Sequence, residues 1–598
     1  MPRERRGEPV IATLPAQIDA ASQDRGYDQL YAAAASSLSR GALRPGKQAQ
    51  ALSGPAFAAG AAAAPEHRPG RRRRRAVAAA YLLPAAALFA AYVRLSQTSA
   101  LNSDSANILL MGSSLLHGNL LLHGWYMSDV SFYPTELPQY ALLESLLGLR
   151  ALTAHVAAAM TYTLALLFAV MLARAGSSGR QALVRTLIAA GIMLAPQLGP
   201  GVFDMDLSVG HIGTAVPLLL IWLLLDRAGR SARRWYVPVL AAVLLAWVQV
   251  ADRIVYIAGI GPLALVAAAR VIRGWIRARG SWPDRIASQW YDLSLGAAAV
   301  AAAGLAWIAD KVLGDLGGYT VARLPFHLTP WSGLHDNWPA AWKVLEVFGA
   351  NFAGLSGVPL ALAVLHLASL ILVGAALVRL AWRFSGASLV DQVLAVAIVL
   401  NAGLYLLTTA SHLAAHEVAI IVPFGAALTA RTLVRAKDRG PAGPRLRRLR
   451  LVGLAAGILV LAGYAAGLGY ELTQPALPAA NTSLAAWLAD HHLTYGLSGY
   501  WTSSSVTLDS GNHVQVRALI PFTMKPYLWM SDQAWYDPKT HDANFIVLDS
   551  QPGGFSYWEP RALIRKYFGS PARIYQTGPY TVLVWDRNLL PSMPGHPG

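Results

Sequence analysis

Eleven apolar stretches, most of them bounded by arginines, constrain this chain more than any other feature of its sequence. A transmembrane helix needs about 20 predominantly apolar residues. Only 14% of the residues are charged, against about 25% in a typical soluble protein. The pattern predicts an all-α polytopic membrane protein with about eleven transmembrane helices. The predicted spans lie near 76–93, 155–173, 186–202, 212–225, 236–250, 254–269, 291–309, 357–378, 389–408, 417–430 and 451–469.

The basic residues follow the predicted spans in a regular way. The chain has 49 Lys and Arg against 32 Asp and Glu, a net charge of +17. If the five arginines at 71–75 are cytoplasmic, every later basic cluster falls on the same face, as the positive-inside rule requires. We therefore predict a plasma-membrane protein with a cytoplasmic N-terminus and an extracytoplasmic C-terminal region. The charge then serves topology, and no nucleic-acid partner is predicted because no binding motif is present.

Composition divides the chain into three parts. Residues 1–70 are rich in Ala, Pro, Gly, Ser and Arg without an apolar period, which predicts a disordered cytoplasmic tail. Residues 71–470 form the multi-pass transmembrane domain, with a first outer loop at 94–154 and a long outer loop at 310–356. Residues 471–598 predict a small extracytoplasmic α/β domain. Its strand-like runs are 513–520, 544–549, 572–577 and 580–586, with a helix pattern at 559–568.

The predicted outer loops hold most of the acids and histidines. Such residues are costly near a membrane unless they face water or serve a site, so their collection on one face favours a functional cavity there. Solvation of longer loops is the alternative interpretation. Cysteine is absent, which excludes disulfides, thiolate metal sites and cysteine nucleophiles. The outer acids and histidines include Asp104, His117, His123, Asp129, Glu136, Glu144, Asp204, Asp206, His211, Asp252, Asp310, His412, His416 and Glu417.

The first outer loop carries the most specific pattern. An acid, Asp104, follows the first span, and a helix-like stretch then ends near Gly118. A segment with aromatic residues and prolines leads into the second span, at Tyr133, Pro134 and Pro138. This loop resembles the first extracytoplasmic loop of the GT-C glycosyltransferases, polytopic enzymes that use polyprenyl-phosphate sugars. Many members carry two adjacent acids, whereas Ser105 follows Asp104 here.

The resemblance implies a glycosyltransferase that moves a sugar from a polyprenyl-phosphate donor to a hydroxyl of a carbohydrate, lipid or protein acceptor. Such a transfer needs a base within hydrogen-bond reach of the hydroxyl, and Asp104 is the predicted catalytic base. The alternative role for Asp104 is to cap the helix that begins in the Ser-Asp-Ser sequence, and the two roles are compatible.

Further candidates flank the spans. Arg253, His412 and His416 are predicted to contact the donor phosphate, and Asp252, Glu417, His117 and His123 are further substrate-binding candidates. Asp252 and Arg253 would alternatively neutralise each other, and the histidines at 412 and 416, expected to share a helix face, would alternatively line a polar cavity wall. Asp204 and Asp206 form an Asp-x-Asp pair that a divalent cation could bridge, although such pairs also arise by chance. No other cofactor is predicted.

Two different functions remain open at the level of sequence. A transporter or flippase of lipid-linked saccharide would use the same cavity for passage, but it should show internal repeats and interrupted spans in matching halves. Only the Pro196 to Gly201 stretch interrupts a span. A non-catalytic scaffold presenting the outer domain is the other alternative. The aromatic residues of that domain, Trp529, Trp535, Tyr536 and Trp558, suit either sugar stacking or a packed core.

Overall fold

A computed structural model describes the chain from residue 71 onward. The predicted tail at 1–70 lies outside the described residues, which are 71–196, 205–206, 210–230, 234–324, 327–434, 444–550, 554–558 and 560–595. The chain divides into two units. The smaller comprises 1–87 and 323–325, of which 71–87 are helical, and the larger comprises 88–322 and 326–598.

Helices dominate the region up to residue 473. In chain order they are α1 (Arg71–Ser96), α2 (Ser103–Leu116), α3 (Leu137–Leu147), α4 (Ala151–Arg174), α5 (Gly179–Met193), α6 (Ile212–Arg230), α7 (Tyr236–Ala251), α8 (Gly261–Arg277), α9 (Trp282–Asp315), α10 (Pro339–Val347), α11 (Gly357–Ala381), α12 (Leu389–Leu407), α13 (Ile421–Leu433) and α14 (Pro444–Thr473). A π-helical turn at Tyr256–Ile260 precedes α8.

Within the described ranges, seven helices are long and apolar enough to cross a membrane. Two shorter apolar helices, Leu82–Ser96 and Tyr236–Ala251, accompany them. The polytopic helical architecture is thus confirmed, but the count of eleven is not. The spans predicted near 186–202 and 417–430 correspond to α5 and α13, which have only 15 and 13 residues.

Helix α13 nevertheless covers most of the depth of its neighbour α6. Glu417, just before α13, contacts His211 at the start of α6, and Arg431, near the end of α13, contacts Asp226 near the end of α6. The two helices therefore run side by side in the same direction. Every residue of α13 from Ile421 to Thr432 is buried, so this helix is an internal element of the bundle.

The C-terminal region contains the predicted α/β elements. In chain order its elements are α15 (Thr482–Asp490), β3 (Tyr495–Ser498), α16 (Tyr500–Asp509), β4 (Gln515–Ala518), β6 (Phe545–Asp549), α17 (Arg561–Phe568), β7 (Arg573–Thr577) and β8 (Tyr580–Val584). The five strands form one sheet in the order β4-β3-β6-β8-β7, with β3 parallel to β4 and β6, and β8 antiparallel to β6 and β7. Strand β3, which fills the centre of the parallel part, is the strand that the sequence patterns missed.

A second, three-stranded sheet joins this region to the membrane part. Strand β1 (Trp125–Met127) of the first loop pairs with β2 (Thr320–Val321) after α9 and with β5 (Ser531–Asp532) of the C-terminal region. Leu508 and Met530 also belong to the apolar cluster built by the first loop. The C-terminal region therefore shares a sheet and a core with the loop that carries Asp104.

Candidate active site

Asp104 lies in the first turn of α2. Asn102 is the N-cap of this helix, because its side-chain Oδ1 accepts the backbone N–H of Ser105 at 3.1 Å. The alternative in which Asp104 caps the helix is therefore wrong. A carboxylate in the first turn still interacts favourably with the helix dipole, and the loop holds the residue where α2 begins. Gly118 follows the helix with φ of +93°, a conformation that favours glycine.

The carboxylate of Asp104 is held on both oxygens. The hydroxyl of Tyr500, at the start of α16, donates to Oδ1 at 2.5 Å, and the amide of Asn102 donates to Oδ2 at 3.3 Å. Burial raises the pKa of Asp104 above its ordinary value, while the hydrogen bond from Tyr500 and the nearby His416 oppose that rise. A carboxyl group with a raised pKa is a stronger base once it is ionised, which suits it to accept a proton.

A second cluster of acids surrounds His211, directly before α6. The Nδ1 atom of His211 lies 2.7 Å from Oδ2 of Asp252, and its Nε2 atom lies 2.9 Å from Oε2 of Glu417. Asp252 also accepts hydrogen bonds from the hydroxyl of Thr214 at 2.5 Å and from the backbone N–H of Ile254 at 2.9 Å. The imidazole therefore lies between two carboxylates, and His211 and Asp252 are buried.

The first loop brings Asp129 to this cluster. Val130 forms an isolated β-bridge with Asp252, and the backbone N–H of Ser131 donates to the carbonyl of Ala251 at 2.9 Å. These bonds lay the loop across the end of α7. As a result, Asp129 is placed with His211 and Glu417, and ligand atoms of the three residues lie within 4.8 Å of one another.

The acids and the imidazole of this cluster shift one another's pKa values. Burial opposes protonation of His211, but Asp252 and Glu417 outweigh it and raise the pKa of the imidazole well above its ordinary value. Burial also disfavours ionised Asp252 and Glu417, and His211 outweighs it, so both carboxyl pKa values are lowered. Burial and the charge of Glu417 raise the pKa of Asp129 to about 6. The His211 cluster therefore contains one positively charged group, the imidazolium of His211, and more than one acid.

Glu136 adds a further acid to one side of the cluster. Burial, followed by the charge of Asp252, raises the pKa of Glu136 to about 8. Its carboxyl group occupies space beside Gly213, in the first turn of α6. A Cβ atom added at Gly213 would lie only 1.9 Å from the Cδ and Oε1 atoms of Glu136. The glycine is therefore required for Glu136 to occupy this position.

The donor set of Asp129, His211 and Glu417 suits a divalent cation. Two carboxylates and an imidazole are common ligands of Zn²⁺ and Mn²⁺. Asp252 accepts a hydrogen bond from Nδ1 of His211, which directs Nε2 toward Glu417, and metal-bound histidines usually have such a carboxylate partner. A cation bound there would replace the proton that Nε2 now shares with Glu417.

The metal pair predicted from the Asp-x-Asp sequence remains a prediction. Asp204 lies outside the described residues. Asp206 is buried, and neither of its carboxylate oxygens has a hydrogen-bond partner within the described part of the chain. Burial raises the pKa of Asp206 well above its ordinary value. The group of possible metal ligands found among the described residues is Asp129, His211 and Glu417, and it does not include Asp206.

The histidines at 412 and 416 do not share one helix. They belong to two separate 3₁₀ turns, Thr409–His412 and Ala415–Val418, so the predicted common helix face is wrong. The ring of His416 lies 6.4 Å from the ring of His211 between centroids, and its Nε2 lies 3.9 Å from Oε1 of Glu417. Since its charge also acts on Asp104, His416 connects the two groups of acids.

The remaining predicted binding residues are distributed around the first loop. Arg253 is exposed, and it does not pair with its neighbour Asp252, whose contacts are those of the His211 cluster. The ring of His117 contacts the carbonyl of Ser113 at 2.7 Å, and that of His123 contacts the carbonyl of Gly317 at 2.6 Å. Both histidines are exposed and stabilise the loop, and these contacts do not join them to Asp104.

Sequence reasoning did not assign four residues of this site. Asp129, Glu136 and His211 are expected on the outer face but without a role, and the sequence predicts no role for Tyr500. A histidine directly before a span, as His211 is, was the one available signal, because ionisable residues at a membrane are functional candidates. The contact of Tyr500 with Asp104 spans 396 residues, and no local pattern reveals it.

Neither a protein-family model nor a curated protein matches the sequence. Solved structures, however, share its fold. ArnT from Cupriavidus metallidurans bound to undecaprenyl phosphate superposes with a TM-score of 0.51 at 12% identity, covering 87% of this chain and 99% of that chain. The apo state of the same protein gives a TM-score of 0.51 at 12% identity, with 85% and 98% coverage.

A looser likeness links the chain to the Archaeoglobus fulgidus oligosaccharyltransferase in the apo form, with a TM-score of 0.41 at 13% identity over 83% of this chain and 73% of that chain. The likeness to ArnT extends over nearly all of both chains, and at this identity it shows the fold. The protein is therefore a polytopic membrane protein with the GT-C fold, as the first outer loop led us to expect.

Proposed function

We propose that the protein is an integral-membrane glycosyltransferase that moves a sugar from a polyprenyl-phosphate donor to an acceptor hydroxyl. The observation that carries this proposal is the position of Asp104 in a GT-C fold. It is a carboxylate held on both oxygens, and it is acted on by the charge of His416, which itself lies 3.9 Å from Glu417 of the acid-rich His211 cluster. The ArnT structure of the same fold was determined with undecaprenyl phosphate bound, which supports a lipid-phosphate donor.

The proposed reaction is a direct displacement at the sugar. Asp104 takes the proton of the acceptor hydroxyl as its oxygen forms a bond to the anomeric carbon of the donor sugar. The bond between that carbon and the phosphate oxygen breaks, and polyprenyl phosphate leaves with the electron pair. A base in this position contributes about 10²- to 10⁴-fold to the rate. The departing phosphate gains negative charge and needs a cation nearby, for which we propose His416 and the exposed Arg253.

The substitution Asp104→Asn tests this assignment. Asparagine is isosteric and can still accept the hydrogen bond of Tyr500, but it is not a base. We expect transfer from polyprenyl-phosphate sugars, measured as released polyprenyl phosphate in reconstituted protein, to fall by at least about 100-fold. Thermal stability should stay near that of the wild type.

The matched control is Glu144→Gln, which neutralises another buried acid of the same loop. Glu144 is buried in α3, and its pKa is raised to about 6 by burial, with Ser113 and His117 opposing. We expect near wild-type transfer from this variant. Asp104→Asn protein that retains transfer within a few-fold of wild type would overturn the role of Asp104. Movement of an intact lipid-linked saccharide without transfer would instead identify a flippase.

We also propose that the reaction uses a divalent cation held by Asp129, His211 and Glu417. A phosphate leaving group would be repelled by the excess of acids in the His211 cluster, and a cation would reverse that local charge. Because the ion displaces the proton on Nε2 of His211, its affinity should rise with pH. The cation would neutralise the departing phosphate when bound.

Metal content separates this site from the Asp-x-Asp pair. We expect bound metal, measured by mass spectrometry of the purified protein, to fall to background in Asp129→Asn and to persist in Asp206→Asn. The reverse result would move the cation to the Asp204 and Asp206 pair. Equal metal content in both variants and the wild type would exclude either site.

The orientation of the chain is part of the proposal. We propose that the N-terminus is cytoplasmic and that the C-terminal region and the site face the outside of the plasma membrane, since the arginine clusters then lie inside. A reporter fused after Gly598 that is active only outside the cytoplasm would support this arrangement. Activity inside would reverse it, together with the face on which the donor is used.

A further inference from the structure

Three hydrogen bonds join the start of α16 to the start of α2. The hydroxyl of Tyr500 donates to Oδ1 of Asp104 at 2.5 Å, and the amide of Asn107 donates to that hydroxyl at 3.3 Å. The hydroxyl of Ser103 donates to the backbone carbonyl of Tyr500 at 2.6 Å. Ser103 and Asn107 are buried. The C-terminal region therefore contacts the proposed base directly, through both the backbone and the side chain of one residue.

The ring of Tyr500 is fixed by its neighbours. It packs edge to face against Trp501 at 5.0 Å and against Tyr527 at 5.2 Å between ring centroids. The preceding Gly499 lies so close to Phe555 that an added Cβ would be 2.9 Å from the Cβ of that residue. With the ring held from two sides and the chain confined before it, the hydroxyl has one direction in which to donate.

The two oxygens of Asp104 are therefore held differently. Oδ1 receives the short bond from Tyr500, which is directed by a packed ring, whereas Oδ2 receives only the 3.3 Å contact from Asn102. A carboxylate held firmly at one oxygen presents the other in a constant direction. Misplacement of a reacting group by about 1 Å costs on the order of 100-fold in rate, so such fixing has a kinetic consequence.

We propose that Tyr500 is a positioning residue of the transfer reaction, through which the C-terminal region aligns Asp104 with the acceptor hydroxyl. This inference rests on the proposed function of Asp104. Under it, the C-terminal region is part of the active site because it supplies the group that orients the base. A merely structural role would make the same contact serve only to attach the region to the first loop.

The substitution Tyr500→Phe removes the hydroxyl and keeps the packed ring. We expect kcat to fall by about 10- to 100-fold, KM for the polyprenyl-phosphate sugar to stay within about threefold, and the melting temperature to change little. Tyr527→Phe is the matched control. The Tyr527 ring contacts Tyr500, and its hydroxyl has no hydrogen bond in the described part of the chain, so kcat should stay within about twofold.

The pH profile distinguishes positioning from attachment. The groups that act on Asp104 are Tyr500, His416 and Asn102, which stabilise the carboxylate, and burial, which raises its pKa. Tyr527 also lies close to this charge. Loss of the Tyr500 hydroxyl removes one stabilising bond, so the pKa of Asp104 rises further. Because the base must be ionised, the acidic limb of kcat against pH should move to higher pH in Tyr500→Phe and not in Tyr527→Phe.

Carboxyl labelling provides a readout that needs no turnover. The reactivity of Asp104 toward a carbodiimide, followed by mass spectrometry over a pH series, should shift to higher pH in Tyr500→Phe. Wild-type kcat in that variant, or lost activity with a lowered melting temperature and an unmoved pH profile, would overturn the positioning role. A wild-type chain that transfers no sugar would overturn the proposed function, while labelling would still show whether the Tyr500 hydroxyl stabilises the Asp104 carboxylate.

Discussion

A buried basic side chain lies among carboxylates at each end of helix α6. The two groups differ in how completely their charges are paired. At one end, Arg431 contacts Oδ1 of Asp226 at 2.8 Å and Oδ1 of Asp391 at 2.5 Å. At the other, His211 lies between Asp252 and Glu417. About 22 Å separates the two ends, from the rise of a helix over the 15 residues between His211 and Asp226.

The Arg431 site is complete in itself. Besides its two carboxylates, Arg431 donates to the carbonyl of Leu172 at 3.0 Å and to the hydroxyl of Ser388 at 3.2 Å. A guanidinium keeps its charge at every accessible pH, and four of its five N–H donors are engaged here. Such a site fixes helices to one another, and its charge is already paired with carboxylates of the protein.

The His211 site has the opposite properties. An imidazole can give up its proton to bind a metal ion, whereas a guanidinium keeps its charge. Asp129 and Glu136 add acids beyond those that His211 can neutralise, and their pKa values of about 6 and about 8 show the cost of holding them there. Buried acids that are incompletely neutralised are typical of a functional site, which supports the proposal that this end of α6 serves the reaction.

The largest expected effect divides stability from activity between the two sites. Arg431→Met leaves the buried Asp226 and the half-buried Asp391 without their shared partner, and among the described residues Asp226 then keeps only its contact with Arg230. Removal of one partner from a buried ion pair typically costs about 3–5 kcal/mol. We expect a large drop in the melting temperature of the detergent-solubilised protein, with turnover per folded molecule within about twofold of wild type below that temperature. Thermal unfolding and transfer assays on the same sample measure both.

His211→Gln is the counterpart at the other end of α6. Asp252 keeps its hydrogen bonds from Thr214 and the backbone of Ile254, so we expect a smaller loss, of about 1–2 kcal/mol. Turnover should fall by at least about tenfold, because the imidazolium that pairs with the surrounding acids is lost. If Arg431→Met loses activity without losing stability, or His211→Gln does the reverse, the division between the two ends of α6 is wrong.

The sequence predicts the architecture but not that the residues of the His211 site lie close together. Apolar stretches and arginine clusters can be read locally as signs of membrane spans and their orientation. A short continuous apolar run such as 544–549 can likewise be read locally as a buried strand. The complete burial of α13 from Ile421 to Thr432 is not readable in this way, because it depends on the helices that pack around it. The His211 site combines residues 129, 211, 252 and 417, whose proximity is decided only by helix packing.

The second expected effect tests whether the functional end of α6 tolerates less change than its other end. Gly213→Ala places a Cβ 1.9 Å from atoms of the Glu136 carboxyl group, whereas Gly229 has open space around its Cβ position. We expect Gly213→Ala to cost about 1–3 kcal/mol through overpacking. Gly229→Ala should be neutral or slightly stabilising, because alanine has the higher helix propensity.

A double variant identifies the cause of the Gly213 effect. If the clash with Glu136 is responsible, Glu136→Ala combined with Gly213→Ala should recover most of the lost melting temperature. The two changes would then be strongly non-additive, as expected of residues in contact. A double variant that is as unstable as the sum of the two single changes would mean that Gly213 matters for another reason, such as the entry of the chain into α6.

The smallest expected effect concerns the proton on Glu136, whose pKa of about 8 lies far above the ordinary value of about 4.3. The folded state therefore keeps a proton that the unfolded state has released, and this contribution is fully present below about pH 4.3 and is lost as pH rises toward about 8. Glu136→Gln carries no titrating group. Its melting temperature should rise relative to wild type steadily from pH 5 to pH 8.5. Glu144→Gln is the matched comparison, because the pKa of Glu144 is only about 6 and the relative gain should level off near that pH. Parallel curves for the two variants would show that the acids around His211 are no more costly than an acid elsewhere in the same loop.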